Sequence, residues 1–222
     1  MALLQQRYPR HHPNCKGLAE ADSVALDPHK WLYAPLEAGC ILVREPQILQ
    51  EAFSFHPEYY SFEGNSEEQP LNYYEFGFQN SRGFRALKVW LGLRQAGREG
   101  YVEMIRDDIS LAEALYRLTE EHSELQAITQ NLSITTFRFV PKDLPKQETE
   151  DYLNKLNEEL LNQLQTGGEA YISNAIVDGK YVLRACVVNF RTTLDDIESL
   201  PDIIVRLGHT LDKEMRSKLK VI

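Results

Sequence analysis

The chain has 222 residues, 43% of them hydrophobic and 26% charged, with a formal net charge of −9. That balance supplies enough apolar side chain for one domain or two small ones, while the acidic sign, with a sequence pI near 5.2, excludes the basic surface that nucleic acids and anionic membranes require. No apolar run approaches the roughly 18 residues of a membrane span, and the amino terminus lacks the charged-then-apolar pattern of a secretory signal.

Residues 1–20 contain Pro9 and Pro13 and read as a connecting segment; His11 and His12 are adjacent with no further ligands nearby, so no metal site is expected. Ser23 to Leu26 follows from an apolar run and predicts a short buried strand. Pro28 ends it, because proline cannot donate to a sheet ladder, which puts His29, Lys30 and Trp31 on a turn just past the strand. A lysine partly desolvated there would have a lowered pKa and a free amine able to condense with a carbonyl; these residues alone do not overturn the plainer reading, a solvated loop lysine. Gly39 to Val43 predicts a second buried strand beside the first, its direction undetermined. Residues 53–80 interleave nine Phe and Tyr residues with Pro57, Gly64, Asn65 and Pro70 and show no sustained period. So long a loop either packs on a partner surface or closes over a site and excludes water.

From Arg82 the pattern turns helical, with Phe84, Leu87 and Leu91 on one face. Gly97 and Gly100 are expected to break that helix, and Ile105, Ile109, Ala112 and Tyr116 carry a second stripe to about His122. Ser133 to Val140 alternates as a half-buried strand does. Leu153, Leu156, Leu160 and Leu164 mark a helix ended by Gly167-Gly168. Tyr171 to Val177 and Tyr181 to Val188 predict paired strands with a hairpin turn at Asp178-Gly179, and Leu200, Ile204, Leu207 and Leu211 line a last helix. This order suits an α+β domain with helices packed on a small, mostly antiparallel sheet. Cys15, Cys40 and Cys186 are odd in number and widely spaced, as reduced thiols in a cytoplasmic protein are.

Three separated stretches carry a resemblance: Ala21-Asp22-Ser23-Val24-Ala25-Leu26-Asp27-Pro28-His29-Lys30-Trp31-Leu32, Ser81-Arg82-Gly83-Phe84-Arg85-Ala86-Leu87-Lys88-Val89-Trp90, and Val182-Leu183-Arg184-Ala185-Cys186-Val187-Val188-Asn189. In this order the chain resembles the carboxy-terminal half of the group II pyridoxal-phosphate-dependent amino-acid decarboxylases, which include aromatic-amino-acid, tyrosine, histidine and glutamate decarboxylases. The resemblance implies an α/β chain of fold-type I. Residues 1–81 would be the end of the large cofactor-binding domain and 82–222 the small α+β carboxy-terminal domain.

It also implies roles. Lys30 would form the covalent link to pyridoxal 5'-phosphate, which serves as the electron sink when carbon dioxide departs, and His29 would help hold the cofactor phosphate. Asp27 stands where other members have asparagine; an ionised aspartate would repel phosphate, so a structural role such as accepting backbone amides in the turn is expected. Tyr59, in Pro57-Glu58-Tyr59, matches the proline-X-tyrosine of a mobile loop that returns a proton to the substrate carbon, ahead of its neighbour Tyr60. Arg184 would bind a substrate carboxylate or join a structural ion pair. Arg82 is given no role.

The implied activity is decarboxylation of an L-amino acid to the amine by a homodimer. The aromatic loop favours an aromatic substrate and Arg184 an acidic one. The family's ring-nitrogen aspartate, ring-stacking histidine and main phosphate loop lie before the lysine segment and are not in this sequence. A second function class therefore competes, an inactive carboxy-terminal fragment that folds or dimerises, and residues 1–222 alone are expected to bind the cofactor weakly and not to decarboxylate.

Overall fold

A computed structural model describes residues 17–55, 57, 71–144 and 149–219. The connecting segment with His11 and His12, and Tyr59 and Tyr60, lie outside the described residues. The chain forms two compact units, Met1–Tyr101 and Val102–Ile222. Among the described residues no helix is long and apolar enough to cross a membrane.

In the first unit, β1 (Ser23–Leu26) pairs antiparallel with β2 (Cys40–Val43), Ser23 opposite Val43 and Leu26 opposite Cys40. The lysine turn joins them as the sequence predicts. Their burial is not as predicted: Ile41 and Leu42 are 52% and 54% exposed. An apolar run marks a strand that can be covered, but what covers it is a tertiary matter. Arg44 closes the ladder by donating to the carbonyls of Ala19 and Ala21.

Gln47–Phe53 forms a helix, α1, that leads into the aromatic segment, and Tyr73–Phe76 within the segment forms one turn of 3-10 helix. Phe53 meets Phe78 edge to face at 4.8 Å, and Gln50 donates to the Glu75 carboxylate at 3.0 Å. The two ends of the segment are thereby pinned together.

Helix α2 (Arg85–Glu121) contains a break at Gly97, whose φ of 63° and ψ of −178° no helix accommodates. Gly100 is helical, contrary to expectation, because only Gly97 adopts a backbone conformation outside the helical region. The predicted stripe of Phe84, Leu87 and Leu91 is 76%, 42% and 52% exposed, so in this chain that face is uncovered. The later stripe packs as predicted through Ile105, Ile109 and Ala112, with Leu115 fully buried where Tyr116 is only partly so.

The second unit holds a four-stranded antiparallel sheet in the order β3-β4-β6-β5. Its strands are β3 (Leu125–Asn131), β4 (Ile134–Phe139), β5 (Ser173–Val177) and β6 (Lys180–Cys186). The helices α3 (Thr149–Gly167) and α4 (Leu194–Leu219) complete it. β3 escaped the sequence reading: Leu125 to Asn131 holds two Gln, an Asn and an Ala, and it is a strand because it pairs with β4 across Leu132-Ser133. The Asp178-Gly179 hairpin forms as predicted, both residues having positive φ (49° and 76°), the requirement of the tight primed turn.

Leu156, Leu160, Leu183, Phe137, Phe139 and Ile204 build one core between the helices and one face of the sheet. Contact is close enough that a Cβ on Gly208 of α4 would lie 2.5 Å from the Phe139 ring. β4 was expected half-buried and is buried on both faces. It is an inner strand, and its polar residues find partners: Thr135 donates to the Ala112 carbonyl at 2.7 Å, and Thr136 meets the Thr129 hydroxyl at 2.6 Å. Arg138 is 3% exposed.

Candidate active site

The turn after β1 is built locally. The Lys30 amide donates to the Asp27 carbonyl at 3.0 Å and the Tyr33 amide to the Lys30 carbonyl at 3.1 Å. Pro28, fixed near the φ that the second position of such a turn needs, is buried. His29 clips the far end: its Nδ1 lies 2.8 Å from the Ala38 carbonyl oxygen and 3.1 Å from the Ala38 nitrogen. Arg85, in the first turn of α2, holds Glu37 through Nε and Nη2 at 2.9 and 2.6 Å, and this keeps the Glu37 carboxyl below the usual carboxylate range. On the other side the Tyr101 hydroxyl, in a 4% exposed residue, donates to the Leu32 carbonyl at 3.1 Å. Burial raises that phenol's pKa, so it stays a donor. Neither Tyr101 nor the Glu37–Arg85 pair was found from sequence, because their partners lie 69 and 48 residues away.

Lys30 sits at the apex with its side chain 68% exposed and Nζ 2.7 Å from Asp27 Oδ2. Two expectations are corrected. Lys30 is not desolvated, since a turn at a strand end projects outward unless another element covers it. Among the described residues no backbone amide donates to the Asp27 carboxylate; it accepts from the lysine, whose hydrogen bond and charge hold its pKa low. Lys30 and His29 are brought together by adjacency in the turn.

The donor set fits an aldehyde cofactor that carries a phosphate: a reachable primary amine for the aldehyde, and an imidazole beside it for the anion. The clip matters here. The two Ala38 contacts of His29 set the tautomer in opposite senses: with Nδ1 donating to the carbonyl at 2.8 Å, neutral imidazole offers Nε2 as an acceptor, and with Nδ1 accepting the N–H at 3.1 Å, it carries its proton on Nε2 and can donate to a phosphate oxygen.

A cavity of about 960 Å³ opens beside the turn, lined among others by Pro28, Cys40, Arg82, Phe84, Arg85 and Trp90. Lys30 is not in its wall, and Arg82 is.

Arg184 belongs to the second unit. Leu183 and Ala185 enter the core, so Arg184 lies on the opposite face of β6, half-buried, its Nη1 3.3 Å from Ser173 Oγ. Of the two readings given to it, a structural ion pair is not found among the described residues. The buried arginine that sequence reasoning missed is Arg138, which binds Glu150 through both Nη atoms at 2.7 and 3.0 Å and Gln126 through Nε at 2.7 Å.

Comparison with known proteins adds the context. The family described as "Pyridoxal-dependent decarboxylase conserved domain" matches residues 6–140. An aromatic-L-amino-acid decarboxylase of Bacillus atrophaeus is 36% identical over 183 residues, 82% of this chain and 38% of that relative. The structure of an Oryza sativa TDC with PLP and tryptamine superposes with a TM-score of 0.81 at 25% identity, over 91% of this chain and 42% of the other. A Catharanthus roseus tryptophan decarboxylase in complex with L-tryptophan superposes with a TM-score of 0.75 at 29% identity, with the same coverage. The chain thus spans about two fifths of the length of these relatives.

Proposed function

Because the chain belongs to the pyridoxal-dependent decarboxylase family, we propose that it supplies the lysine-bearing part of an enzyme that decarboxylates an L-amino acid, an aromatic one, to the amine and carbon dioxide. The observation that carries this reading is the position of Lys30: an accessible amine on a turn clamped by His29, Glu37–Arg85 and Tyr101, inside the stretch the family matches. Pyridoxal 5'-phosphate, when bound, supplies the electron sink for the charge left as carbon dioxide departs. Lys30 would anchor it and His29 would offer an imidazole N–H to its phosphate.

Arg184 is our candidate for the substrate carboxylate, supported by the absence of an acidic partner for it among the described residues. Tyr59 is our candidate to return the proton; it falls within a segment whose ends are pinned by Phe53–Phe78 and Gln50–Glu75, a base on which a lid can move. We read residues 1–81 as the end of the cofactor-binding domain and 82–222 as the small domain, of a cytoplasmic homodimer. The dimer is supported by the uncovered apolar residues Phe84, Trp90 and Leu91. An Arg184 with no acidic partner among the described residues also favours a second substrate reading, an acidic amino acid.

The test is to expose a complete enzyme carrying this chain to pyridoxal 5'-phosphate, reduce with borohydride, map the adduct and measure carbon dioxide release from aromatic and acidic amino acids. The adduct is expected on Lys30, and Lys30→Ala should abolish adduct and release together. An adduct and turnover that survive Lys30→Ala overturn the proposal.

A further inference from the structure

We propose that Asp27 is a positioning residue for Lys30: its carboxylate holds the lysine as an ammonium turned back onto its own turn, and capture of an aldehyde requires that pair to open. This rests on the reading of Lys30 as the aldehyde-binding lysine.

The pair is dictated by four consecutive residues. Asp27-Pro28-His29-Lys30 is a turn closed by the Lys30 N–H to Asp27 carbonyl bond of 3.0 Å. Such a turn places its first and fourth side chains on one side, and Nζ comes to 2.7 Å from Oδ2. The imidazole of His29 is turned to Ala38, so it does not compete for the Asp27 carboxylate by hydrogen bonding. Four other charged or titratable groups share this loop with the lysine: Asp27, His29, Tyr33 and Glu37, of which Tyr33 stacks on Tyr101 and Glu37 is committed to Arg85. Asp27 is the one in contact with Nζ.

The chemistry makes this contact consequential. In condensation with an aldehyde, the ammonium first gives a proton to solvent. The free Nζ then attacks the carbonyl carbon, and the oxygen leaves as water as the C=N bond forms. The Asp27 carboxylate, 2.7 Å from Nζ, turns it away from an incoming carbonyl. Asparagine in its place would accept a hydrogen bond without the charge. The pair is exposed on both sides, 68% and 42%, so salt screens it and a ligand can displace it. It acts as a latch rather than a block.

The experiment uses the 222-residue chain and limiting formaldehyde with cyanoborohydride near neutral pH, which methylates free amines through the same condensation. Mass spectrometry then gives labelling of Lys30 relative to Lys155 and Lys213, two exposed lysines of the second unit. Lys30 is expected to be under-labelled in the wild type. Asp27→Asn should raise its relative labelling about threefold. Asp27→Glu, which keeps the charge, should stay near wild type. Roughly 1 M sodium chloride should move the wild type toward Asp27→Asn without any mutation. Equal Lys30 labelling in wild type and Asp27→Asn, with no response to salt, overturns the proposal.

A parallel reduction with pyridoxal 5'-phosphate separates the two readings. Adducts scattered over many lysines, with the formaldehyde difference intact, defeat the assignment of Lys30 and leave the latch standing. An adduct confined to Lys30, with no formaldehyde difference, defeats the latch and leaves the assignment standing.

Discussion

Arg138 and Glu150 show how unequal the two halves of one ion pair are. The guanidinium is 3% exposed, whereas Glu150 is 56% exposed. Removing the glutamate leaves a buried cation short of acceptors, a loss worth about 1–3 kcal/mol; removing the arginine leaves a carboxylate that water can solvate. Glu150→Ala is therefore expected to destabilise the protein more than Arg138→Met, as read from denaturant midpoints. The hydrogen bond and charge of Arg138 lower the Glu150 pKa, so its contribution stands above the ordinary glutamate range and is lost as pH falls through the lower native value. Tyr152 has the opposite dependence. Burial, followed by its hydrogen bond to Asp212, pushes its phenol up to about 12. Its contribution is complete below about pH 10, the ordinary tyrosine value, and is lost as pH rises through 10 to 12. Tyr152→Phe should flatten that alkaline limb, at the cost of a hydrogen bond worth about 1 kcal/mol, in thermal melts taken across that range.

At the scale of elements, the break in α2 is the feature most dependent on one residue. The Gly97 backbone, φ 63° and ψ −178°, lies where side chains are strongly disfavoured. A Cβ there would meet nothing within 4 Å, so the obstacle is conformational rather than steric crowding. Gly97→Ala is expected to cost about 1–3 kcal/mol or to straighten the helix, and denaturant melts with circular dichroism separate these outcomes. The ends of α3 and α4 are set more redundantly. Gly168 follows α3 with φ 77°. At the start of α4, Thr193 and Asp196 cap reciprocally, Asp196 Oδ2 accepting from the Thr193 amide at 2.8 Å and Thr193 Oγ1 from the Asp196 amide at 3.3 Å. Such reciprocal capping is the signature of a helix start.

At the scale of the whole molecule, the two units differ in what they bury. The continuous core runs from Ala112 to Leu211, in the second unit. The buried apolar residues of the first unit are Ala34, Ala38 and Tyr101 among those described. Local opening is easiest where few apolar contacts must break. Hydrogen exchange on the intact chain should therefore show strong protection in β3, β4, β6 and α3, and fast exchange in β1, β2 and α1. Equal protection in the two units would contradict this reading.

The sequence by itself determined the elements of the second unit whose signals are local. The leucine stripe of α3 fixed a helix face, Gly167-Gly168 its end, and Asp178-Gly179 the hairpin, because each depends on side-chain period or on backbone angles that few residues adopt. It also determined the lysine turn, since Asp27-Pro28-His29-Lys30 closes on itself. β3 was missed because its partner strand, rather than its own composition, defines it. Burial was decided by tertiary structure alone: the same apolar pattern is covered in α3 and uncovered in β2 and the first turns of α2. So were the clamps on the lysine turn, because Tyr101 and Arg85 reach it from 69 and 48 residues away in the chain. Contacts at that separation are fixed by how elements pack, and a local pattern of residues carries no record of them.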